Sequence, residues 1–378
     1  MQSPARIAIA LVSLAVTFKL SAALGTQPLT WLKSGQYSQL EASLGSLQRD
    51  YESGKISDYR LYEGFRDLYE DRAENAEHFD RWVQAYPHSY VARTARGAYY
   101  YRLAAYVRGE DLISHTPPQR IKGMLAYLVQ ARPDLRASLK MTAKPYLSTL
   151  YLLNVARLAG SADEKRHWLD AGNEIDPHNE LLRLRYLDCL TPRWGGSLQM
   201  MRAFRAETAR QPVSTGLLRR FDIVIHAETA QWLKEEGDRP GAFSEWGEVL
   251  KLSAMDGELP SDEALIGYAR SAWELHHQAE ADRGLRLLAR KQIDKGWVLS
   301  QMGWIYVQEN RMPEAWAVLQ RAASLNDPWA QFSVGKTTYL GCADIHLQAD
   351  QRAGLTWIRR SADQGFAEAK AFLLAHGG

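Results

Sequence analysis

The sequence predicts an all-α fold, a superhelix (solenoid) of stacked antiparallel helix pairs. Three observations carry this. Apolar residues recur at three- and four-residue steps from about residue 29 to the end. No run alternates Val, Ile and Thr with polar residues as a strand would. Two distant segments repeat the same spacings, a sign of stacked units rather than one globular core. A length of 378 residues fits two or three domains or one elongated array, and 46% hydrophobic residues suffice for a core spread along the chain. The net charge of +2 lacks the basic excess of nucleic-acid binding, so nucleic acid is not expected as a partner.

Met1–Arg6 is a short positive stretch, and Ile7–Phe18 is an uncharged, mostly apolar run too short to span a bilayer comfortably. Small residues follow at Ser21-Ala22-Ala23 and Gly25. Residues 1–25 therefore read as a signal peptide or an N-terminal anchor, with a periplasmic or exported protein as the expectation. Lys19 leaves open an uncleaved inner-membrane tether through residues 7–24. No Cys lies near this segment, which excludes a lipidated cysteine at the cleavage point. Cys189 and Cys342 are the two cysteines, too far apart to form a disulfide framework or a metal cluster. They read as separately buried thiols, able to pair only if the fold brings them together.

The elements follow in order. Leu29–Glu41 and Leu44–Tyr51 have helical spacing, and Gly54 ends the second. Tyr59–Tyr69 and Glu77–Ala85 are the next helices, the latter stopped by Pro87. Ser89–Arg108 is a long helix with Ala92, Ala95, Tyr99, Leu103 and Tyr106 on its inward face. Arg93, Arg96, Tyr100, Tyr101 and Arg108 fall largely on the remaining surface, which reads either as an Arg/Tyr face for an anionic or aromatic ligand or as a solvated face. Thr116-Pro117-Pro118 marks a loop, and helices resume at Ile121–Gln130, Asp134–Met141 and Pro145–Ala159.

A second helix after Gly160, Ala162–Glu174, ends before Asp176-Pro177. Gly296–Trp329 reads Leu299, Met302-Gly303, Tyr306, then Ala315, Leu319, Ala322 and Asp327-Pro328. This pattern resembles the 34-residue tetratricopeptide repeat. The two units agree: Trp168 and Leu319 precede their Pro by the same interval, as do Ala171 and Ala322. In both, Asp-Pro is expected to supply an N-cap and a first helical residue. Phe221–Glu236 with Gly241–Leu252, and Glu263–His277 with Ala279–Ile293, are two further candidate pairs. Ala330–Leu374, with Val334-Gly335, Tyr339, Trp357, Ser361-Ala362, Gly365 and Ala369, resembles a Sel-one-like repeat. It departs from that family at Gly341-Cys342-Ala343 and at Gly354.

Thr191-Pro192-Arg193-Trp194-Gly195-Gly196-Ser197 interrupts the helices near the middle of the chain. Together with Glu180–Leu190, Met200, Met201, Phe204, Gly35-Gln36-Tyr37, Ala95-Arg96-Gly97 and Lys144-Pro145, it resembles a bacterial family of unknown function, numbered 4034 among such domains. The resemblance implies an α-helical domain joined to tetratricopeptide-type repeats and implies no established activity. The domains are then the leader at 1–25, a helical domain of unknown function at 26–215, tetratricopeptide-like pairs at 216–295, and a tetratricopeptide plus Sel-one-like repeat at 296–378.

The Arg193, Trp194, Gly195, Gly196 and Ser197 loop carries the best ligand candidates, and Arg93 and Tyr100 of the Ser89–Arg108 helix are further ones. In one reading the N–H groups of Gly195, Gly196 and the next helical turn, with Arg193, bind an anion. In the other, Trp194 packs, Ser197 caps the helix from Leu198, and Arg193 pairs internally. Ala330–Thr337 matches a relaxed nucleotide-loop pattern but reads as the first helix of a repeat, so no nucleotide is expected. His276-His277 point about 100° apart on a helix and make no metal site, and no catalytic signature appears. Glu110-Asp111 and Glu235-Glu236 read as solvated. The expectation is a protein-binding scaffold of the bacterial envelope, not an enzyme and without cofactor, in a narrower version neutralising a toxin. The alternative is a glycan hydrolase whose carboxylates the fold assembles.

Overall fold

The computed structural model describes residues 27–70, 72–109 and 112–376. These residues fold as nineteen α-helices joined by short turns, and the only β-type pairing among them is an isolated bridge between Cys342 and Leu347. The predicted leader and Glu110-Asp111 lie outside the described residues. No described helix is long and apolar enough to cross a membrane. The chain divides into two compact units, residues up to Ile225 and residues from His226.

The first unit contains α1 (Gln27–Lys33), α2 (Tyr37–Glu52), α3 (Asp58–Arg66), α4 (Ala76–Ala85), α5 (Tyr90–Arg108) and α6 (Pro118–Ser138). It continues with α7 (Tyr146–Ala159), α8 (Ala162–Ile175), α9 (Leu181–Cys189), α10 (Leu198–Thr208) and the start of α11 (Thr215–Glu235). The break between the first two helices comes at Gly35, whose φ of +71° ends α1, rather than after Glu41 as the sequence suggested. Ser89 caps α5 by accepting from Ala92 N–H at 3.1 Å. The helix is enclosed on nearly all sides, because it packs against α4, α6 and α7. Tyr100, Tyr101 and Arg108 are accordingly buried, whereas Tyr106, expected to face inward, is exposed.

The two helices expected on either side of Pro133 are one, α6. Pro133 sits on the solvent side, and the next residue, Asp134, turns inward. There Arg93 Nη1 donates to its Oδ1 at 3.0 Å, while Arg96 Nε and Nη2 donate to its two oxygens at 2.6 and 3.0 Å. This clamp holds the second half of the helix to α5 despite the missing backbone donor.

The Asp176-Pro177 pair behaves differently from its counterpart Asp327-Pro328. Asp176 Oδ1 accepts from His178 N–H at 2.9 Å and closes a turn; the helix begins only at Leu181. The first amides of α9 are capped instead by Asp58, 123 residues away. Its Oδ2 accepts from Leu181 N–H at 2.8 Å, Glu180 N–H at 3.0 Å and the Tyr146 hydroxyl at 2.7 Å. Burial pushes the Asp58 carboxyl up from its ordinary range, and these donors oppose that.

The second unit takes over the rest of α11, then α12 (Arg239–Met255), α13 (Asp262–Glu274), α14 (Gln278–Ala289), α15 (Gly296–Gln308) and α16 (Met312–Ser324). It closes with α17 (Pro328–Leu340), α18 (Gln351–Asp363) and α19 (Ala367–Ala375). Consecutive helices pair as the repeat spacing predicts. Ala315, Leu319 and Ala322 of α16 are buried, and Asp327 caps α17 by accepting from Ala330 N–H at 2.8 Å. Within the former nucleotide-loop match, Gly335 faces Gly354 of α18: a Cβ on either would lie 2.9 or 2.7 Å from the other's carbonyl oxygen. Two glycines thus let α17 and α18 touch backbone to backbone, which accounts for a glycine at position 354. The unusual Gly341-Cys342-Ala343 turn is a short excursion with Gly341 at φ +76° and a 3₁₀ turn at Ala343–Ile345. His276, at φ +61°, lies beyond the end of α13, which stops at Glu274. Both cysteines are unpaired thiols.

Candidate functional site

The Thr191–Ser197 segment turns the chain between α9 and α10. Pro192–Trp194 forms a single 3₁₀ turn where the sequence suggested an irregular loop. Gly195 N–H donates to Pro192 O at 3.1 Å and Gly196 N–H to Thr191 O at 3.1 Å, so both amides donate inside the turn rather than outward. Gly195 adopts φ +83°, and a Cβ on Gly196 would lie 2.0 Å from the Leu190 carbonyl oxygen. Both glycines are therefore required by the turn itself. Ser197 caps α10, its Oγ accepting from Met200 N–H at 3.2 Å.

Trp194 is the centre of the arrangement. Its indole lies among three guanidiniums, with Arg108 Cζ 4.7 Å, Arg157 Cζ 4.9 Å and Arg193 Cζ 5.7 Å from the ring centroid. Arg108 is the last residue of α5, Arg157 stands in the last turn of α7, and Asp188 stands near the end of α9. Helix C-termini carry partial negative charge, which favours cations there. Arg108 Nη1 donates to Gly109 O at 2.8 Å. Arg157 pairs with Asp188 and donates to Tyr101 Oη at 3.2 Å. Burial works against the charge on Arg157, but Tyr101 and Asp188 outweigh it and keep the guanidinium protonated. The Trp194 ring is partly exposed, while its Nε1 is buried without a hydrogen-bond partner. Guanidiniums over an indole face are attracted to its π-density, so the ring is held by charge as well as by packing. At the end of α9, burial pushes the Cys189 thiol up to about 12.

Arg193 and Trp194 stand out in the sequence, whereas Arg108 is expected on open surface and no motif in the sequence marks Arg157. Their shared position in the last turn of a helix, α5 for Arg108 and α7 for Arg157, was the available signal. Arg93 and Tyr100 do not join this cluster. Arg93 is engaged by Asp134 and by Pro87 O, to which its Nε donates at 2.7 Å. Tyr100 is buried and stacks on Tyr127 at 6.4 Å.

Two other features bear on chemistry. An open groove of about 590 Å³ is lined by Leu139, Lys144, Pro145, His167, Trp168 and Ile175, among others. The buried carboxylates are committed to structure: Asp58 caps α9, Asp134 holds two arginines, Glu263 pairs with Lys295, and Asp327 accepts from Ser300 Oγ at 2.5 Å. Among the described residues no group of three His, Cys, Asp or Glu could hold a metal ion. The second unit adds an aromatic pair that the sequence reading missed. Trp273 and Trp304 meet edge to face at 4.7 Å, with Arg270 Cζ 3.6 Å from the Trp304 centroid.

No protein-family model matches the chain, and no curated protein matches it. Among solved structures it is similar to one described as a human IFIT1 dimer with PPP-AAAA, at 11% sequence identity and a TM-score of 0.40, covering 90% of this chain and 82% of that one.

Proposed function

We propose that the protein is a non-catalytic helical-repeat scaffold that holds a protein partner in the bacterial cell envelope, with Trp194 at the centre of the contact. The observation that supports this is the partly exposed indole held among Arg108, Arg157 and Arg193. Trp and Arg on a rigid framework are the residues that dominate interface energies, because each offers a large contact area with little ordering cost. Here three helix ends fix them. The expected export of the chain puts the partner in the periplasm or at the inner membrane, and the Sel-one-like resemblance supports a narrower version in which the partner is a toxin neutralised by binding.

The test is affinity capture from envelope extracts with the wild-type chain and with Trp194→Ala and Arg193→Ala. A partner recovered by wild type and lost at least tenfold by Trp194→Ala, at an unchanged melting temperature, supports the proposal. Equal recovery by Trp194→Ala removes the contact from this surface. Turnover of cell-wall glycan fragments by the purified chain, with no specific partner, replaces the scaffold with the hydrolase.

A further inference from the structure

The outward side of α6 combines exposed apolar and basic side chains along one line. Lys122, Ala126, Val129, Pro133 and Arg136 are all exposed and follow one another at steps of four, three, four and three residues, so they form one straight stripe. Leu125 flanks it, 45% exposed, and Val129 at its middle is 70% exposed. Lys140 continues the line just past the helix end. The only carboxylate of α6, Asp134, is turned away from this stripe and held by Arg93 and Arg96. Among the described residues no carboxylate pairs with Lys122, Arg136 or Lys140. The face is thus cationic at both ends, apolar at the centre, and without negative charge on its own helix.

We propose that this face docks on the surface of an anionic lipid bilayer, with Leu125 and Val129 entering the headgroup boundary and Lys122, Arg136 and Lys140 lying against lipid phosphates. Two arguments select a bilayer over a protein. The first is charge complementarity, since the stripe offers only cations to its partner. The second is area: α6 is about 31 Å long, and a stripe about 10 Å wide presents about 300 Å², well short of the roughly 800 Å² per partner of a stable protein interface. A bilayer needs no such shaped area, because exposed apolar side chains and basic residues add their contributions independently. The proposal is independent of the contact assigned to Trp194.

The test is sedimentation of the full chain with vesicles of phosphatidylcholine alone and of phosphatidylcholine with roughly a quarter phosphatidylglycerol. The apolar run at Ile7–Phe18 is present in every variant, so its contribution cancels in the comparison. Wild type is expected to bind the anionic vesicles more strongly and to lose that preference at high salt. Lys122→Gln with Arg136→Gln should weaken the partition about 30-fold, from about 1 kcal/mol per basic residue near an anionic surface. Val129→Asp should weaken it as well, and all variants should keep the wild-type melting temperature because the altered side chains are exposed. Equal binding to both vesicles, wild-type binding by the double variant, or no vesicle binding at all overturns the proposal. If the double variant instead loses a protein that wild type captures, the face belongs to that protein and the lipid assignment is wrong.

Discussion

Replacing Asp134 by Ala should destabilise the first unit by about 2–4 kcal/mol. Removing one partner from a buried ion pair costs about 3–5 kcal/mol, because the remaining charge stays buried and uncompensated. Here the Asp134 side chain is 3% exposed, while Arg93 and Arg96 are 25% and 23% exposed. Each arginine also keeps a second acceptor: Asp80 for Arg96 at 2.9 Å and Pro87 O for Arg93 at 2.7 Å. Those acceptors and the partial exposure pull the expected loss below the upper figure. Asp134→Asn retains the shape and one acceptor oxygen and should cost about half as much. Arg93→Ala leaves the Arg96 fork in place and should cost about 1 kcal/mol. Urea unfolding followed by circular dichroism gives the three values, and amide exchange locates them. The amides of α6 beyond Pro133 should exchange faster in Asp134→Ala, because the clamp is what holds that half to α5. A loss within 0.5 kcal/mol of zero (about the scatter expected of surface substitutions), or a loss no larger for Asp134→Ala than for Arg93→Ala, would mean that Asp134 does not hold α6 to α5. It would also return Arg93 to the list of residues available to a ligand.

Other outcomes follow from the same structure. Gly196→Ala should cost more than Gly195→Ala, since the first drives a Cβ into the Leu190 carbonyl while the second imposes only about 1–2 kcal/mol of left-handed strain; thermal unfolding ranks them. Because burial raises the Asp58 carboxyl, the folded state binds its proton more tightly than the unfolded chain does. The stability of wild type relative to Asp58→Asn should therefore grow as pH falls through the raised folded value, and be full below about 3.9, the ordinary unfolded value. Urea titrations between neutral pH and pH 4 read that trend, and a gap that narrows on acidification contradicts it. With a thiol reagent near pH 8 the native protein should release about one equivalent quickly, from the partly exposed Cys342, and a second only on unfolding, because Cys189 is buried with a thiol at about 12.

The parts legible in the sequence are those whose causes lie within one repeat. Ala315, Leu319, Ala322 and the Asp327-Pro328 cap were readable because each acts on a neighbour less than 34 residues away. Asp176-Pro177 carried the same letters and gave a different structure, because the helix after it is capped from α3, a partner no local pattern announces. The continuity of α6 through Pro133 was hidden for a similar reason: it depends on arginines 38 and 41 residues upstream. At the candidate site, Arg193 and Trp194 were visible as unusual residues in a turn. Arg108 and Arg157 were not, since their convergence on the indole is a product of how α5, α7 and α9 end together.

The Asp58 cap has a consequence for how the chain assembles. It ties α3 to α9 across 123 residues, and it is not alone: Gln48 Nε2 donates to Lys144 O across 96 residues and the Tyr51 hydroxyl to Asp176 across 125. In the second unit the side-chain bonds between helices are short in sequence, as in Arg270–Gln301 across 31 residues, Ser300–Asp327 across 27 and Ser361–Pro328 across 33. The second unit therefore has the wiring of a one-dimensional array, in which repeats form and fray one at a time from a free end. The first also ties distant segments together, and its completion waits on loop closure over such spans, which slows folding. During synthesis the first unit would stay incomplete until α9 had emerged, whereas each helix pair of the second could close as it appeared.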